Sequence, residues 1–194
     1  HQMMVGLQDS TLIDEMNTAK DLAKLKPKMV RIYPVLVIKG TELEEEYLND
    51  EYEPLTVEQA VERCKEIYNF FNKKKINVIR IGLQNTDEIS DPKNELSEVV
   101  AGPYHENFRQ LVEGSIYYDA VVEKIKSVNV KVKEIKIICN PKIASNIVGY
   151  KKANIEKLYD IYDVDLVVEQ DDSFPENRYS MTITKEYKDY SGTV

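Results

Sequence analysis

Apolar residues recur along the chain with two different spacings, and the alternation of these spacings predicts a β/α array. Short apolar runs that suit buried strands cover residues 1–7, 28–33 and 77–83. Between them, apolar positions three or four residues apart predict one helix over residues 12–23 and another over residues 57–71. Strands that alternate with helices are typical of α/β folds with parallel sheets, and we therefore predict that fold class.

Helix-capping residues support these boundaries. Thr11 supplies an N-cap for the first helix, and Thr56 with Gln59 has the spacing of a capping box for the second. An acid-rich excursion over residues 35–54 separates the second strand from that helix, and Thr41 could cap a short helix within it. Residues 84–103 are predicted to be irregular, and a long helix is predicted over residues 104–126.

The pattern changes near residue 130 and predicts a second, smaller α/β domain. Its elements are a strand, two helices separated by a turn and two further strands, at residues 130–139, 141–148, 153–162, 165–169 and 179–185. Asn140 before Pro141 is a typical helix start. We accordingly predict domains over residues 1–127 and 128–194, and expect residues 189–194 to be frayed.

Charge is distributed unevenly over the 194 residues, which carry −8 in total. Residues 120–157 hold nine lysines against three glutamates, a local charge of +6, so the remainder carries −14. The negative total argues against DNA and other bulk polyanions as partners. The basic segment either marks a second functional region or consists of ordinary solvated lysines.

Few residues suit metal or nucleophilic chemistry. Cys64 and Cys139 are far apart and fall in apolar patterns, so we expect two buried core thiols and no metal site. His105 is better suited to ordering a loop by hydrogen bonding than to ligation, although a catalytic role stays open. With no signal peptide and no long apolar run, we expect a cytoplasmic chain that does not contact membranes.

Strand alternation gives the most useful indication of a site. Side chains on a strand point alternately to its two faces, which here separates an aliphatic face from a polar one. The third strand should place Val78 with Arg80, opposite Ile79 and Ile81. The polar face then gathers four residues of the three strands: Gln2, Arg31, Tyr33 and Arg80. The arginines either line a polar cavity or pair with carboxylates of neighbouring strands.

Several stretches of the first part resemble a known family. These are residues 2–7 (QMMVGL), 30–41 (VRIYPVLVIKGT), 79–84 (IRIGLQ) and 102–112 (GPYHENFRQLV). They resemble the C-terminal half of radical S-adenosylmethionine (SAM) proteins, notably those related to oxygen-independent coproporphyrinogen III oxidase and the catalytic subunit of Elongator. The likeness covers about residues 1–126.

This resemblance implies a partial (β/α) barrel whose opening strands lie upstream, in a missing N-terminal half of the same barrel. In the parent, a cysteine triplet would hold a [4Fe–4S] cluster that cleaves SAM to a 5′-deoxyadenosyl radical. This chain contains no such triplet, so we expect it to bind neither group alone and to be inactive as an oxidoreductase by itself. Its cofactor-binding candidates lie on strands and at strand ends: Gln2, Arg31, Tyr33, Arg80 and Gln84.

The second part resembles a KH module, whose Gly-x-x-Gly loop between two helices clamps a nucleic-acid backbone. Residues 147–158 carry the likeness, and Lys152 stands where the second glycine is expected. The alternative function is therefore RNA or tRNA binding through Lys151 and Lys152, against a purely structural module. A third option is an α/β domain without any cofactor, in which the arginines are structural.

Overall fold

A computed structural model of the chain describes residues 1–186, which form two compact units. The first unit is His1–Val112 and the second begins at Glu113. The division falls inside helix α4 (Phe108–Lys126), whereas the predicted domain boundary lies just after that helix. The domain assignment itself stays a prediction, as does the frayed segment 189–194, which lies outside the described residues.

The first unit alternates strands with helices, as the apolar spacing predicts. Its elements are β1 (Gln2–Val5), α1 (Leu12–Lys24), β2 (Met29–Pro34), β3 (Val37–Ile38), α2 (Glu42–Leu48), α3 (Val57–Lys73), β4 (Asn77–Ile81) and β5 (Val99–Ala101). Thr11 and Thr56 begin α1 and α3 with complete capping boxes, and Thr41 caps α2. The prediction of an α/β fold is confirmed.

Three of these strands form a parallel sheet in the order β1-β2-β4. One face of the sheet is buried beneath α1 and α3 and carries aliphatic residues such as Val5, Val30 and Ile32, all fully buried. Side chains of α3, including Ile67 and Phe71, fill the other side of this core. Helix packing therefore covers one face of the sheet and fixes its register.

A separate two-stranded antiparallel sheet joins β3 to β5. It packs with α2 around a small core of Val35, Val37 and Tyr52. The short helix after Thr41 was predicted, whereas β5 lies in a segment predicted to be irregular. The acid-rich excursion is thus an ordered addition to the β/α array.

The second unit contains a three-stranded sheet in the order β7-β6-β8. Its elements after α4 are β6 (Val132–Cys139), α5 (Pro141–Val148), a 3-10 turn (Tyr150–Lys152), α6 (Ala153–Tyr162), β7 (Asp165–Gln170) and β8 (Tyr179–Glu186). Strand β6 lies in the centre, parallel to β7 and antiparallel to β8. Ile135 and Ile137 of β6 are fully buried in its core. The predicted elements of this region are all present.

Candidate functional site

Gln2, Arg31 and Arg80 form a row across the parallel sheet of the first unit. Gln2 is the register partner of Arg31, and Arg31 is the register partner of Arg80. Because residues at matched positions of parallel strands project to the same face, the two arginines share one face, with their backbones one strand spacing of about 4.8 Å apart. Sequence analysis predicted this grouping.

Arg80 lies on the predicted face, but the other residues of β4 do not alternate as predicted. Val78 is buried with the aliphatic face, at 3% exposure, while Ile79 is 37% exposed. The register with β2 shifts here, so that Val30 pairs with Val78 but the next residue, Arg31, pairs with Arg80. Ile79 is therefore the extra residue of a β-bulge. The predicted placement of Val78 with Arg80 and of Ile79 with Ile81 is wrong, because strict alternation does not survive a bulge.

The face that carries the row is open rather than enclosed by the described residues. Gln2 and Arg31 are exposed, and Tyr33 and Arg80 are half-buried. Two methionines of the same strands are also exposed, Met4 at 38% and Met29 at 47%. Parallel sheets are normally covered on both faces, so an open face with apolar side chains is unusual.

The arginines are not held by carboxylates of neighbouring strands. Among the described residues, no ion pair involves Arg31 or Arg80. Arg80 Nη1 donates to Gln84 Oε1 at 3.2 Å, which brings together two predicted site residues and directs this guanidinium toward the carboxyl end of β4. Like charges side by side on adjacent strands destabilise a sheet unless an anion separates them. The row therefore suits an anionic ligand.

A small pocket lies at the carboxyl ends of β2 and β4. Its lining is mainly apolar, with one imidazole: Pro34, Leu36, Gly82, Leu83, Pro103, Tyr104, His105 and Phe108. His105 Nδ1 accepts a hydrogen bond from the Asn107 backbone N–H at 3.0 Å, at the start of α4. A neutral His105 thus carries its proton on Nε2. The predicted loop-ordering role of His105 is confirmed.

Three further residues act on the loop after β1, and sequence analysis did not single them out. Glu15 Oε1 accepts from the Gly6 backbone N–H at 2.7 Å and from Arg63 Nη1 at 3.0 Å. The Tyr52 hydroxyl donates to the Gly6 carbonyl at 2.7 Å. Glu15 is only 3% exposed although it lies in an amphipathic helix. The signal that the sequence offered for Glu15 was a charged residue beside the apolar positions of α1.

The thiols of this chain do not suit an iron–sulfur cluster. Cys64 and Cys139 are both buried, in the separate cores of the two units. Burial, and secondarily the Glu15 carboxylate, raises the pKa of the Cys64 thiol far above its usual value, whereas cluster ligands must be thiolates. Among residues 1–186, no group of three or more potential ligands could hold a metal ion. A [4Fe–4S] cluster therefore does not fit the described residues.

In the second unit, Lys151 and Lys152 lie in the turn between α5 and α6 and are exposed. Both adopt left-handed backbone conformations, with φ of 51° and 67°. Glycine adopts this conformation without strain, so a lysine at either position costs about 1–2 kcal/mol. Asn154 holds the turn by donating to Gly114 O at 2.9 Å and Ile147 O at 3.0 Å.

Several lysines of the basic segment are ion-paired with carboxylates that follow it in sequence. Lys136 contacts Glu169 at 2.6 Å across β6 and β7, and Lys142 contacts Glu176. Lys131 lies 3.7 Å from Asp163. The positive charge of residues 120–157 is therefore partly neutralised by the fold, and the turn at Lys151 and Lys152 is among its exposed parts.

Helices of the described region are too short or too polar to span a lipid bilayer.

Comparison with known proteins found similarity to one family and to two proteins of known sequence. The family described as Radical_SAM C-terminal domain matches residues 27–118. An uncharacterized protein of Methanocaldococcus jannaschii is 41% identical over 59 residues, which are 30% of this chain and 18% of that protein. The tRNA uridine(34) acetyltransferase of the same organism is 38% identical over 65 residues, which are 32% of this chain and 12% of the enzyme. Residues 27–118 thus resemble a radical SAM C-terminal domain, which confirms the predicted resemblance to the C-terminal portion of radical SAM proteins.

Proposed function

We propose that this chain supplies the later β/α units of a radical SAM enzyme, in which β1, β2 and β4 wall the cavity for SAM and substrate. The observation that carries the proposal is the row of Arg31 and Arg80 on the open face of a parallel sheet, in register and without carboxylate partners among residues 1–186. In a β/α barrel that face is the interior, and functional groups collect at the carboxyl ends of the strands.

The two edges of the sheet support a partial barrel that continues beyond β1. At the β4 edge, Arg109 Nη1 donates to the Val78 carbonyl at 3.2 Å and so occupies an acceptor of that strand. At the β1 edge, no described strand pairs with it. Further strands added there would follow chain order, as the existing order β1-β2-β4 does, and would cover Met4 and Met29. The missing N-terminal half of the barrel would be the partner.

The residues of the row suit SAM better than they suit the cluster. SAM carries a carboxylate, which a guanidinium binds through charge-assisted hydrogen bonds. Arg31 and Arg80 would hold this group, while Gln2, Tyr33 and Gln84 would bind polar atoms of the cofactor or substrate. The cluster, whose role is to cleave SAM reductively, would be held by cysteines of the parent protein outside this chain, so the chain alone is inactive in our proposal.

Two reaction classes are compatible with this role. The sequence resemblance to proteins related to oxygen-independent coproporphyrinogen III oxidase favours a cytoplasmic oxidoreductase. The similarity to a protein named tRNA uridine(34) acetyltransferase favours a tRNA-modifying enzyme instead. We retain the oxidoreductase as the main proposal for the reaction and treat tRNA as the alternative substrate.

The proposal is tested by measuring SAM affinity in the longer, cluster-loaded protein. Arg31→Gln and Arg80→Gln should each weaken SAM binding roughly 10- to 100-fold, because a hydrogen bond to a charged group contributes about 1.5–3 kcal/mol. Arg178→Gln, which changes an exposed arginine of the second unit, is the matched control and should leave the affinity unchanged. Wild-type affinity in both sheet variants would refute the assignment.

A second candidate function is RNA binding by a KH-like module over residues 128–194. The exposed Lys151 and Lys152 in the turn between two helices favour it, as does the name of the tRNA-modifying relative. Lys151→Glu with Lys152→Glu should weaken tRNA binding and reduce its salt dependence, by a slope of roughly one for each lost phosphate contact. Lys126→Glu with Lys157→Glu, an equal charge change at two exposed lysines outside this turn, is the control. Equal losses in both variants would indicate unspecific charge attraction rather than a site.

A further inference from the structure

We infer that Glu15, Arg63 and Tyr52 are positioning residues, which fix the loop of residues 6–10 at the carboxyl end of β1 for ligand binding. This inference rests on the proposed function, because it assumes that the carboxyl ends of these strands face SAM and substrate. The three side chains come from α1, α3 and the acid-rich excursion, and all of them converge on one short loop.

Both polar backbone groups of Gly6 are bound by side chains. Its N–H donates to Glu15 Oε1 and its carbonyl accepts from the Tyr52 hydroxyl, each at 2.7 Å. Gly6 has φ of +86°, and a Cβ at this position would lie 2.8 Å from Leu55 Cδ1. The chain therefore leaves β1 in a conformation that glycine alone adopts readily, and two buried hydrogen bonds hold it there.

The far end of the loop is fixed by the same network. Arg63 Nη1 donates to the Ser10 carbonyl at 2.9 Å as well as to Glu15 Oε1. A carboxylate as buried as that of Glu15 needs a counter-charge, and the partly buried Arg63 supplies it. Glu15 Oε2 has no hydrogen-bond partner in the part of the chain that the structure describes, so the carboxylate contributes to the network through Oε1. Arg63 Nη1 thus links Ser10, at the end of the loop, to Glu15, which binds Gly6 at the beginning of the loop.

Tyr52 connects this network to the excursion. It is buried in the small core with Val35 and Val37, so its hydroxyl is carried by the β3–β5 region. Gln8 Nε2 makes a second, longer contact from the loop to the same segment, to the Glu51 carbonyl at 3.5 Å. The excursion therefore stabilises the loop at the carboxyl end of β1. The solvated glutamates of this acid-rich insertion do not by themselves indicate such a role. A ligand-binding site keeps its geometry when the surrounding residues hold it rigidly.

The experiment compares Tyr52→Phe and Glu15→Gln with Tyr47→Phe, which changes a tyrosine of the same excursion that packs against the same core. Tyr52→Phe removes one hydroxyl, and Glu15→Gln keeps an acceptor for Gly6 while removing the charge opposite Arg63. Two quantities are measured in the longer, cluster-loaded protein: SAM affinity, and hydrogen exchange of the backbone amides in the loop. Thermal unfolding of each variant reports whether it folds.

Tyr52→Phe and Glu15→Gln should each speed loop exchange and weaken SAM binding about fivefold, as expected from the loss of one hydrogen bond, while Tyr47→Phe changes neither quantity. Faster exchange with unchanged affinity in both variants would overturn the positioning role and leave the proposed function standing. A wild-type protein that binds SAM tightly, together with unchanged loop exchange in both variants, would likewise overturn the inference. Absence of SAM binding by the wild type would overturn the proposed function as well.

Discussion

The two sheets of this protein treat their cationic side chains in opposite ways. In the second unit, Lys136 of β6 pairs with Glu169 of β7, and Lys185 of β8 pairs with Glu134 of β6. In the first unit, Arg31 and Arg80 occupy matched positions on adjacent strands, where no described carboxylate pairs with either. Cross-strand pairs complete the polar surface of one sheet, whereas the other keeps an uncompensated charge that a ligand can neutralise. In our proposal, the first sheet gives up stability in order to bind an anion.

The two sheets should differ only on their polar faces, since both sheets bury their aliphatic faces in the same way. Ile32→Ala in β2 and Ile137→Ala in β6 remove fully buried side chains of the two cores. Each should lower the free energy of unfolding by about 2–5 kcal/mol, through lost apolar burial and the cavity left behind. Denaturant unfolding measures both. A loss well below 1 kcal/mol in one variant would show that its core is not packed as described.

Reversing one charge in each sheet should have opposite effects on stability. Arg80→Glu places a carboxylate beside Arg31 and should raise the free energy of unfolding by about 0.2–1 kcal/mol, while Glu169→Lys replaces the ion-pair partner of Lys136 with a second cation and should lower it by a similar amount. Urea unfolding monitors both, with Arg178→Glu as a control in an exposed loop. Destabilisation by Arg80→Glu would mean that Arg80 already has a favourable electrostatic environment, contrary to our description.

The smallest effect should appear in the pH dependence of the second unit. Hydrogen bonds from Lys185 and then from Thr184 lower the pKa of Glu134 below its usual value of 4.5. A lowered folded-state pKa stabilises the fold above the ordinary value, and this contribution disappears as pH falls through the lower one. Glu134→Gln should therefore flatten the decline of the unfolding temperature in acid. Parallel declines in the wild type and Glu134→Gln would contradict the assignment.

The sequence was sufficient to predict features that depend only on residues close together along the chain. Caps at Thr11, Thr56 and Asn140 fixed helix starts, and alternation assigned the faces of β1 and β2 correctly. It failed at Ile79, because a bulge arises from pairing with β2 and has no signature in β4 itself. Glu15 escaped notice for a related reason: its burial depends on Arg63, 48 residues away. Predicting the lysine–glutamate ion pairs of the second unit likewise requires knowledge of the sheet register.

Hydrogen–deuterium exchange of the longer, cluster-loaded protein, with and without SAM, tests the central claim most directly. Our account predicts that SAM slows exchange in peptides that contain Arg31, Arg80 and Gln84, and leaves β6, β7 and β8 unchanged. Protection confined to the second unit, or none anywhere in this chain when SAM is bound, would contradict it.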